Sequence, residues 1–550
     1  TGAITLTDAG NSFQGPIAIS GGSVQIGGTL AAGTGQISLQ SSGDVRQTGG
    51  SLTAGTLTGS AIGNMTLNQS SNNIAALGPI STGGDFALTT TRSLGQSGAL
   101  AVGGDTTINA GTNAISLTNA SNSFAGAVNL TGGTTIISSA SALTFGNVNT
   151  DTLLATSLGP MNLGTGTVLG NLSASTIDKA ITQSGALSVA GSTTISAGTG
   201  AITLTDAGNT FQGPIAATGS SVAFRAAGDL HVSALNNSTN GAVSLTAGGA
   251  LTLPVSAIDT GTSNLQLAAN GGTLLANAAL SGSNVTISAR DAIALYGPVT
   301  ASGQLALSTS AGQWIFALGD VRAATTQLSS GTLRIGNATT TGSIGGNVVN
   351  NGTLMFNRTD SIGYADVISG TGNLVQQGTG TLTLTGVNTY TGATQVAGGT
   401  LALSGAGNIA NSSGVQVDAA GTLDISGITA AQASFGSLSG AGQIKLGTRT
   451  LATGGDNSSG TLSGAISGTG GLLKTGSGTL TLGGDNSFSG GTALKQGRID
   501  LGSNGALGTG TLSMDDGTTL GIATDGLRIA NAIRLTGSND PVIDTGAFNA

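Results

Sequence analysis

The chain has 550 residues, of which 97 are Gly and only 7% are charged, with a net charge of −8. Hydrophobic residues make up 38% and the mean hydropathy is +0.25, which excludes a disordered Gly/Ser-rich chain, because such chains have too few apolar residues to bury a core. Lys and Arg are scattered singly and Cys is absent, so nucleic acid is not an expected partner and neither disulfides nor thiol chemistry are available.

The first element is a run of alternating apolar and polar residues at 3–7 (AITLT). The same period of two returns at 381–385 (TLTLT), and Gly and Asn turn signals bound both runs. All 23 acidic residues are Asp and only four Lys are present, while Thr, Val, Gly and Asn, which disfavour helix, are abundant. The sequence therefore predicts an all-β protein.

Internal repeats predict how these strands are arranged. The string from Thr1 to Ala18 returns almost unchanged from Thr199 to Ala216, and a looser copy runs from Thr112 to Asn129. The spacings of 87, 111 and 198 residues are close to four, five and nine units of about 22 residues, which is in the range of solenoid repeats. Each unit is predicted to be one coil of a parallel β-solenoid, with Asn and Thr at equivalent coil positions forming side-chain ladders.

The second half repeats with another period. Residues 368–392 align without gaps on residues 466–490, an offset of 98. One motif joins the two halves: Asn, then Ser or Thr, then an aromatic residue, any residue and Gly. We expect it to be a structural turn in which Asn bonds its own backbone and tolerates a left-handed conformation, the aromatic ring fills a corner and Gly takes a positive φ. The motif positions are Asn11, Phe13 and Gly15; Asn122, Phe124 and Gly126; Asn209, Phe211 and Gly213; Asn388, Tyr390 and Gly392; and Asn486, Phe488 and Gly490. Asn72 begins what looks like a worn copy.

The only Trp, Trp314, lies beside Ile315 and Phe316, between the two repeat styles. Trp and Phe flanked by aliphatic residues usually fill a core, so packing is the favoured interpretation. An aromatic binding patch is the alternative.

Residues for catalysis or metal binding are sparse. His231 is the only histidine and lies in an alternating strand context, where we expect it to face outward rather than to serve a catalytic triad. Asp515 and Asp516 are the only adjacent acidic pair and are predicted to lie in a turn, without the second carboxylate pair of a β-helix glycosidase. Gly-Gly-Asp recurs at Asp85, Asp105, Asp456 and Asp485, but dispersed copies favour turns over a calcium site. We predict no catalytic residue, cofactor or metal.

Strings at 346–361, 378–403 and 463–484 resemble the autotransporter-associated β-strand repeats of Gram-negative autotransporter passengers. Residues 1–310 look more like the repeats of filamentous-haemagglutinin-type adhesins. We therefore predict three parts: haemagglutinin-like coils at 1–310, a junction at 311–344, and autotransporter repeats at 345–550.

This resemblance implies a right-handed parallel β-helix exported to the cell surface or the outside of a Gram-negative outer membrane, with an outer-membrane β-barrel translocator beyond this segment. It implies a structural and adhesive role in adhesion, aggregation or biofilm formation, without enzymatic activity. The implied partners are a host-surface or matrix molecule, a glycan, or a second rod. A polysaccharide-degrading β-helix enzyme and a passive spacer stalk remain the alternatives.

Overall fold

A computed structural model describes residues 2–8, 11, 13, 15–536 and 541–548. Thr1 and Ser12 of the first motif copy lie outside the described residues. The chain divides into two compact units, Thr1–Leu274 and Leu275–Ala550. Within the described residues each unit consists of β-strands and turns, without helix, as the composition predicted.

The first unit is built from short strands that are nearly all separated by turns of a few residues. Its strands are β1 (Ala3–Leu6), β2 (Ile17–Gly21), β3 (Ser23–Ile26), β4 (Leu30–Ala31), β5 (Gln36–Ser41), β6 (Val45–Gln47), β7 (Leu52–Ala61), β8 (Met65–Leu67), β9 (Asn73–Thr82), β10 (Phe86–Thr89), β11 (Gly95–Gln96), β12 (Leu100–Val102), β13 (Thr106–Asn109), β14 (Ile115–Leu117), β15 (Ser123–Phe124), β16 (Ala127–Ser139), β17 (Leu143–Ser157), β18 (Met161–Asn162), β19 (Thr165–Val168), β20 (Leu172–Thr176), β21 (Ile181–Thr182), β22 (Leu187–Val189), β23 (Thr193–Ser196), β24 (Ile202–Leu204), β25 (Thr210–Phe211), β26 (Ile215–Gly219), β27 (Val222–Ala226), β28 (Leu230–Asn237), β29 (Val243–Ala247), β30 (Leu251–Thr252), β31 (Ile258–Asp259) and β32 (Leu265–Ala269).

Strand β33 (Leu274–Ala276) contains the point at which the chain is divided. The strands that follow it are β34 (Leu280–Gly282), β35 (Val285–Ala289), β36 (Ile293–Leu295), β37 (Val299–Ser308), β38 (Trp314–Ala317), β39 (Asp320–Ser330), β40 (Thr332–Thr339), β41 (Ser343–Asn350), β42 (Thr353–Arg358), β43 (Ser361–Tyr364), β44 (Ile368–Ser369), β45 (Asn373–Gln376), β46 (Thr381–Leu384), β47 (Thr394–Val396), β48 (Gly399–Gly405), β49 (Gly414–Val417), β50 (Gly421–Ile428), β51 (Gln432–Ser434), β52 (Ser437–Gly440), β53 (Gln443–Lys445), β54 (Thr450–Thr453), β55 (Gly460–Leu462), β56 (Ile466–Ser467), β57 (Leu472–Lys474), β58 (Thr479–Leu482), β59 (Thr492–Leu494), β60 (Arg498–Leu501), β61 (Leu512–Asp515), β62 (Thr519–Ile522), β63 (Ile533–Thr536) and β64 (Val542–Asp544).

Parallel pairing between successive coils builds the core of each unit. In β10 and β13, for example, Phe86 and Leu88 pair with Thr106 and Ile108, and all four point inward. Alternate residues face outward, which is why the sequence shows a period of two. The parallel strands make about 27 turns in all. The predicted parallel β-solenoid is confirmed.

The coils are shorter and less uniform than the repeat spacings suggested. Paired residues in successive coils are separated by as few as 17 positions, at Ala127 and Thr144, and by as many as 23, at Val415 and Leu438. Offsets of 20 to 22 residues prevail, as at Ala3 and Ser23. A unit of 22 residues is therefore at the long end of the common range.

Repeat copies in the first unit lie on different faces of the solenoid. The ladder that begins at Ile4, in the first strand of the first copy, reaches Thr106 after five coils and continues through Val128 to Phe145. In the middle copy the equivalent of Ile4 is Ile115, which belongs to another ladder, the one that continues through Thr135 and Leu153. The repeat spacing is therefore not a whole number of coils.

A second ladder gives the same result. It begins at Ile115, in the first strand of the middle copy, and reaches Thr193 after four coils and Ile215 after five. Ile215 is the equivalent of Ile17, the third strand of the motif. The spacing of 87 residues is thus four coils and one further face, and the integral coil counts inferred from sequence are wrong.

The second unit behaves in the same way. The ladder of Leu382 runs through Leu401, Leu423 and Ile444 to Ile466. With the offset of 98, however, the sequence equivalent of Leu382 is Leu480, which lies on another ladder, the one that contains Leu374. The recurring element is therefore a corner with its flanking strands, which fits more than one face.

Candidate functional site

The motif asparagines join successive coils. Asn122 is fully buried, and its Oδ1 accepts the backbone N–H of Leu100, in the preceding coil, at 2.9 Å. Its Nδ2 donates to the carbonyl oxygens of Leu117 and Ser138. Because a buried peptide N–H without a partner costs about 1–3 kcal/mol, this side chain compensates for a gap in the backbone ladder.

Two further asparagines of the first unit repeat this geometry. Asn209 accepts from the Leu187 N–H at 2.9 Å and donates to the Leu204 carbonyl, and Asn72 accepts from the Leu52 N–H at 2.8 Å. Asn72, which the sequence suggested was a worn copy, also donates to the Leu67 carbonyl, and Ile74 is the buried residue where other copies have an aromatic one.

In the second unit Asn388 and Asn486 accept the backbone N–H groups of Ile368, at 2.9 Å, and Ile466, at 2.7 Å. Among the described non-glycine residues with positive φ, none is a motif asparagine. The expected left-handed conformation is thus wrong, and the bond that recurs at these asparagines is made across one coil. Asn11, at the first copy, donates to the Asp8 carbonyl at 3.3 Å.

Four of the five motif aromatic residues are buried. Phe124, Phe211, Tyr390 and Phe488 lie in the corners, whereas Phe13 is 49% exposed. The Tyr390 hydroxyl shares a hydrogen bond of 2.6 Å with Thr394, whose hydroxyl in turn contacts Ser412. Burial raises the pKa of Tyr390.

The motif glycines are required for close approach between coils. None of the five has a positive φ, so that expectation is wrong. A Cβ on Gly213 or Gly392 would lie 2.3 or 2.2 Å from the carbonyl oxygen of Gly191 or Gly372, one coil earlier. Gly126 and Gly490 are equally confined, whereas Gly15 has no atom within 4 Å. Any larger side chain at the four confined positions would force stacked coils apart.

A second corner position was missed from the sequence. Gln96, Gln183, Gln376 and Lys474 each donate to the carbonyl oxygen of the glycine two residues later, at 2.6 to 2.8 Å. In the first unit the glutamine amide also pairs with the next corner asparagine, as Gln183 does with Asn209 in both directions. The signal was present in the recurring string QSGAL at 96–100 and 183–187, but only the fold shows which atoms meet.

Lys474 is the fully buried cation of this set. Its Nζ donates to the carbonyl oxygens of Thr475, at 2.6 Å, and Gly476, at 2.8 Å. Burial lowers the pKa of Lys474, and Asp456 opposes this effect. Lys474 occupies the position that Gln376 has in the preceding copy, 98 residues earlier.

Trp314 and Phe316 do not fill the core, contrary to the favoured interpretation. They alternate on β38 with the buried residues Ile315 and Ala317 and point outward, and Trp314 is 38% exposed. Their rings stack with centroids 5.9 Å apart and planes at 15°. The guanidinium of Arg334 lies 5.8 Å from the centre of the Phe316 ring.

His231 and the acidic pair Asp515 and Asp516 are residues whose types could serve catalysis. His231 is exposed on β28, in the outward position expected for it. Asp515 forms an ion pair of 3.0 Å with Lys495 and accepts a hydrogen bond from Thr536. These two contacts lower the pKa of the Asp515 carboxyl, the hydrogen bond from Thr536 most, so Asp515 is not a proton donor at neutral pH.

The Gly-Gly-Asp copies are closer than their sequence separation suggested. Asp85 and Asp105 lie on adjacent coils and continue a ladder from Asp44 and Asn64, in which each side-chain oxygen accepts the N–H of the next coil at 2.7 to 2.8 Å. The ladder satisfies backbone groups. Across the described part of the chain, no group of three or more His, Cys, Asp or Glu residues is arranged to hold a metal ion. Nor does any described segment form a helix that is long and apolar enough to cross a membrane.

Two families of repeats match segments of this chain. The passenger-associated-transport-repeat matches residues 1–26, 374–403 and 472–501, and so is found in both units. Repeats of unknown function (DUF5649) match residues 63–131 and 150–218, which begin 87 residues apart. No solved structure matches the chain.

The chain is 39% identical over 102 residues to the protein named adhesin BmaC autotransporter of Brucella suis biovar 1 (strain 1330). The alignment covers 18% of this chain and only 3% of that protein. With the passenger repeats and the parallel β-solenoid, this similarity supports an autotransporter passenger. It indicates a secreted cell-surface protein of Gram-negative bacteria.

Proposed function

We propose that the chain is a structural and adhesive segment of an autotransporter adhesin, which mediates attachment to a host-surface or matrix molecule, to a glycan, or to another copy of itself. The observation that carries the proposal is the partition of side chains. Stacked aliphatic residues and corner amides hold the coils, while the outer faces are polar and nearly uncharged. Such faces are available for contact along the length of a unit.

The sites at the corners support a structural rather than a catalytic role. Four of the five motif asparagines bond the backbone of a neighbouring coil, four of the five motif glycines lie against it, and Asp515 is paired with Lys495. We therefore propose that the chain is not an enzyme. In the cell, an outer-membrane translocator is the proposed partner for export.

We propose that residues 311–344 form a junction between haemagglutinin-like coils at 1–310 and autotransporter repeats at 345–550. The distribution of repeat copies over more than one face favours a second role for the first unit. A repeat that recurs on more than one face gives those faces similar surfaces, and a spacer needs no single distinctive surface. We propose that the first unit acts mainly as a stalk.

Attachment of fluorescent beads to host cells tests the proposal. Beads coated with the whole chain should bind, and beads coated with a pectin-degrading or other unrelated β-helix of similar charge should not. Equal binding of both bead types would contradict an adhesive role. Release of reducing sugar from a panel of acidic and neutral polysaccharides would contradict the non-enzymatic assignment.

A further inference from the structure

A continuous row of outward-facing side chains runs along one face of the second unit. It begins at Phe316 and continues, one residue per coil, through Arg334, Met355, Val375, Gln395, Gln416 and Ser439. Beside it runs a second row that begins at Trp314 and continues through Thr332, Thr353 and Asn373. Because coils repeat at about 4.8 Å, six steps span roughly 29 Å.

The rows have an aromatic end and a hydroxyl- and amide-lined end. At the first end, the Trp314 and Phe316 rings stack and Trp314 is open to solvent. From Thr353 onward the rows line a groove of about 600 Å³. Val375 is its apolar floor, and Gln395 and Gln416 hold their amides in place by donating to Asp418 at 2.7 and 2.6 Å.

The chemistry of the rows limits what they accommodate. The backbone groups of β42, β45, β47 and β49 are paired with strands on both sides, so an extended peptide has no free strand edge to join. Arg334 lies over Phe316 and donates to Asn337, while Asp456 lines the groove and Asp418 accepts from Gln395 and Gln416. An anionic polymer would therefore meet carboxylates and little free positive charge.

We propose that these rows bind a linear, uncharged glycan that lies parallel to the stacking direction of the coils. A ring-sized, exposed indole offers a flat apolar surface to the C–H face of a sugar, and the Ser, Thr, Asn and Gln side chains offer donors and acceptors to its hydroxyl groups. The coil spacing is close to the length of one hexose in an extended chain, so successive sugars meet equivalent positions on successive coils. The inference rests on the proposed adhesive function and identifies the site and ligand class within it.

Isothermal titration of the whole chain with cellohexaose, chitohexaose and a hyaluronan hexasaccharide tests this site. At least one neutral hexasaccharide should bind, at least tenfold more tightly than its own disaccharide, because affinity should grow with the number of coils contacted. Trp314→Ala should weaken binding about tenfold or more and Gln416→Ala about threefold. Val387→Ala, at an exposed valine in a corner, is the matched control and should leave binding unchanged.

Three results would overturn the proposal. They are the absence of binding by every neutral hexasaccharide, a preference for hyaluronan, and unchanged binding by Trp314→Ala in a protein with unaltered thermal unfolding. Bead attachment to host cells before and after glycosidase treatment distinguishes failure of the glycan site from failure of the adhesive function. Attachment that survives treatment refutes the glycan site but leaves the adhesive function, with a protein receptor, in place. Failure to attach to untreated cells refutes both.

Discussion

In the first unit Asn122 and Asn209 form amide pairs with Gln96 and Gln183, whereas in the second unit Asn388 and Asn486 have no such glutamine among their hydrogen-bond partners. All four nevertheless accept a backbone N–H from one coil earlier. The bond to the backbone is therefore the fixed requirement of this corner. The glutamine that pairs with the asparagine in the first unit is replaceable, because any group that donates hydrogen bonds to the buried carbonyl oxygens can take its place.

The outer surfaces differ in a corresponding way. The first unit carries ladders of Asp and Asn whose oxygens bind backbone N–H groups, and its repeat copies are distributed over more than one face. The second unit carries, on one face, the two rows that begin at Trp314 and Phe316 and the groove that they line. One corner chemistry therefore supports both a uniform surface and a differentiated one.

Removing a corner asparagine should have the largest effect and should separate the units. Asn209→Ala leaves the Leu187 N–H and the Gln183 amide without their partner, and should lower the free energy of unfolding of the surrounding coils by about 2–4 kcal/mol. Asn486→Ala strands the Ile466 N–H and the Ala506 carbonyl and should cost about 1–3 kcal/mol. Urea unfolding and hydrogen exchange at the Leu187 and Ile466 amides measure the two losses. Equal protection of both amides in mutant and wild type would refute the role of the asparagine.

Filling the corner glycine should affect both units alike. Gly213→Ala and Gly392→Ala place a Cβ against a carbonyl oxygen of the preceding coil, and each should cost about 1–3 kcal/mol through forced separation of the coils. Gly363→Ala is the matched control, since nothing lies within 4 Å of its added Cβ. Thermal unfolding of the three variants measures the effect. A loss at Gly363 as large as that at Gly392 would mean that coil spacing is not the cause.

Exchanging the buried donors should be asymmetric. Gln183→Lys removes the oxygen that accepts from Asn209 and should cost about 1–3 kcal/mol, because an ammonium group has no acceptor. Lys474→Gln should cost less than about 1 kcal/mol, since Lys474 only donates and Gln376 already fills the equivalent position. The denaturant midpoints of the two variants measure these losses of stability. Equal losses would contradict the claim that Gln183 is needed as an acceptor and Lys474 only as a donor.

The same lysine predicts a pH dependence. Because burial lowers the pKa of Lys474 in the native state, the unfolded chain binds this proton more tightly, and stability should rise with pH as the native group titrates below the unfolded value of about 10.4. Unfolding should be compared at pH 7.5 and 9, where Tyr390 of the unfolded chain, with an ordinary pKa of about 10, is largely protonated. The rise should be absent in Lys474→Gln. A rise of equal size in that variant would assign it to another group.

The smallest effect is expected at the surface of the second unit. Lys495→Ala breaks the pair with Asp515, which is only partly buried, and should cost less than about 1 kcal/mol. The pKa of Asp515 is lowered, so its contribution is present above the unfolded pKa of about 3.9 and is lost as pH falls through the native value. Acid unfolding in low and high salt measures this. A loss that persists in 1 M salt would contradict a screened surface pair.

The fold class followed from particular residues. The alternation in TLTLT at 381–385 marks half-buried strands, and the near-identical strings at 1–18 and 199–216 require a repeating architecture. The face on which each copy lies did not follow, because offsets between paired strands vary from 17 to 23 and small differences add up over several coils. The length of the sequence repeat alone therefore does not determine the face of the solenoid on which each copy lies.

The sites were harder to predict. The partner of Asn209 is the backbone of Leu187, 22 residues earlier, and turn chemistry considered locally gives no reason to look there. Trp314 was assigned to the core from its apolar neighbours, yet the strict alternation of β38 buries Ile315 and leaves Trp314 outside. In both cases the register of the strands, and not the residue type, decides the outcome.

The central claim is that equivalent repeat copies lie on different faces of the first unit. Double electron–electron resonance measures the distance between spin labels on two introduced cysteines and tests the claim directly. The chain contains no native Cys that would have to be removed first. Ser116 and Thr194 are four paired steps apart on one ladder, which predicts a backbone separation of about 19 Å. Ser116 and its sequence equivalent Thr203 lie on different ladders and should be clearly farther apart. A shorter distance for the Ser116–Thr203 pair than for the Ser116–Thr194 pair would contradict the account.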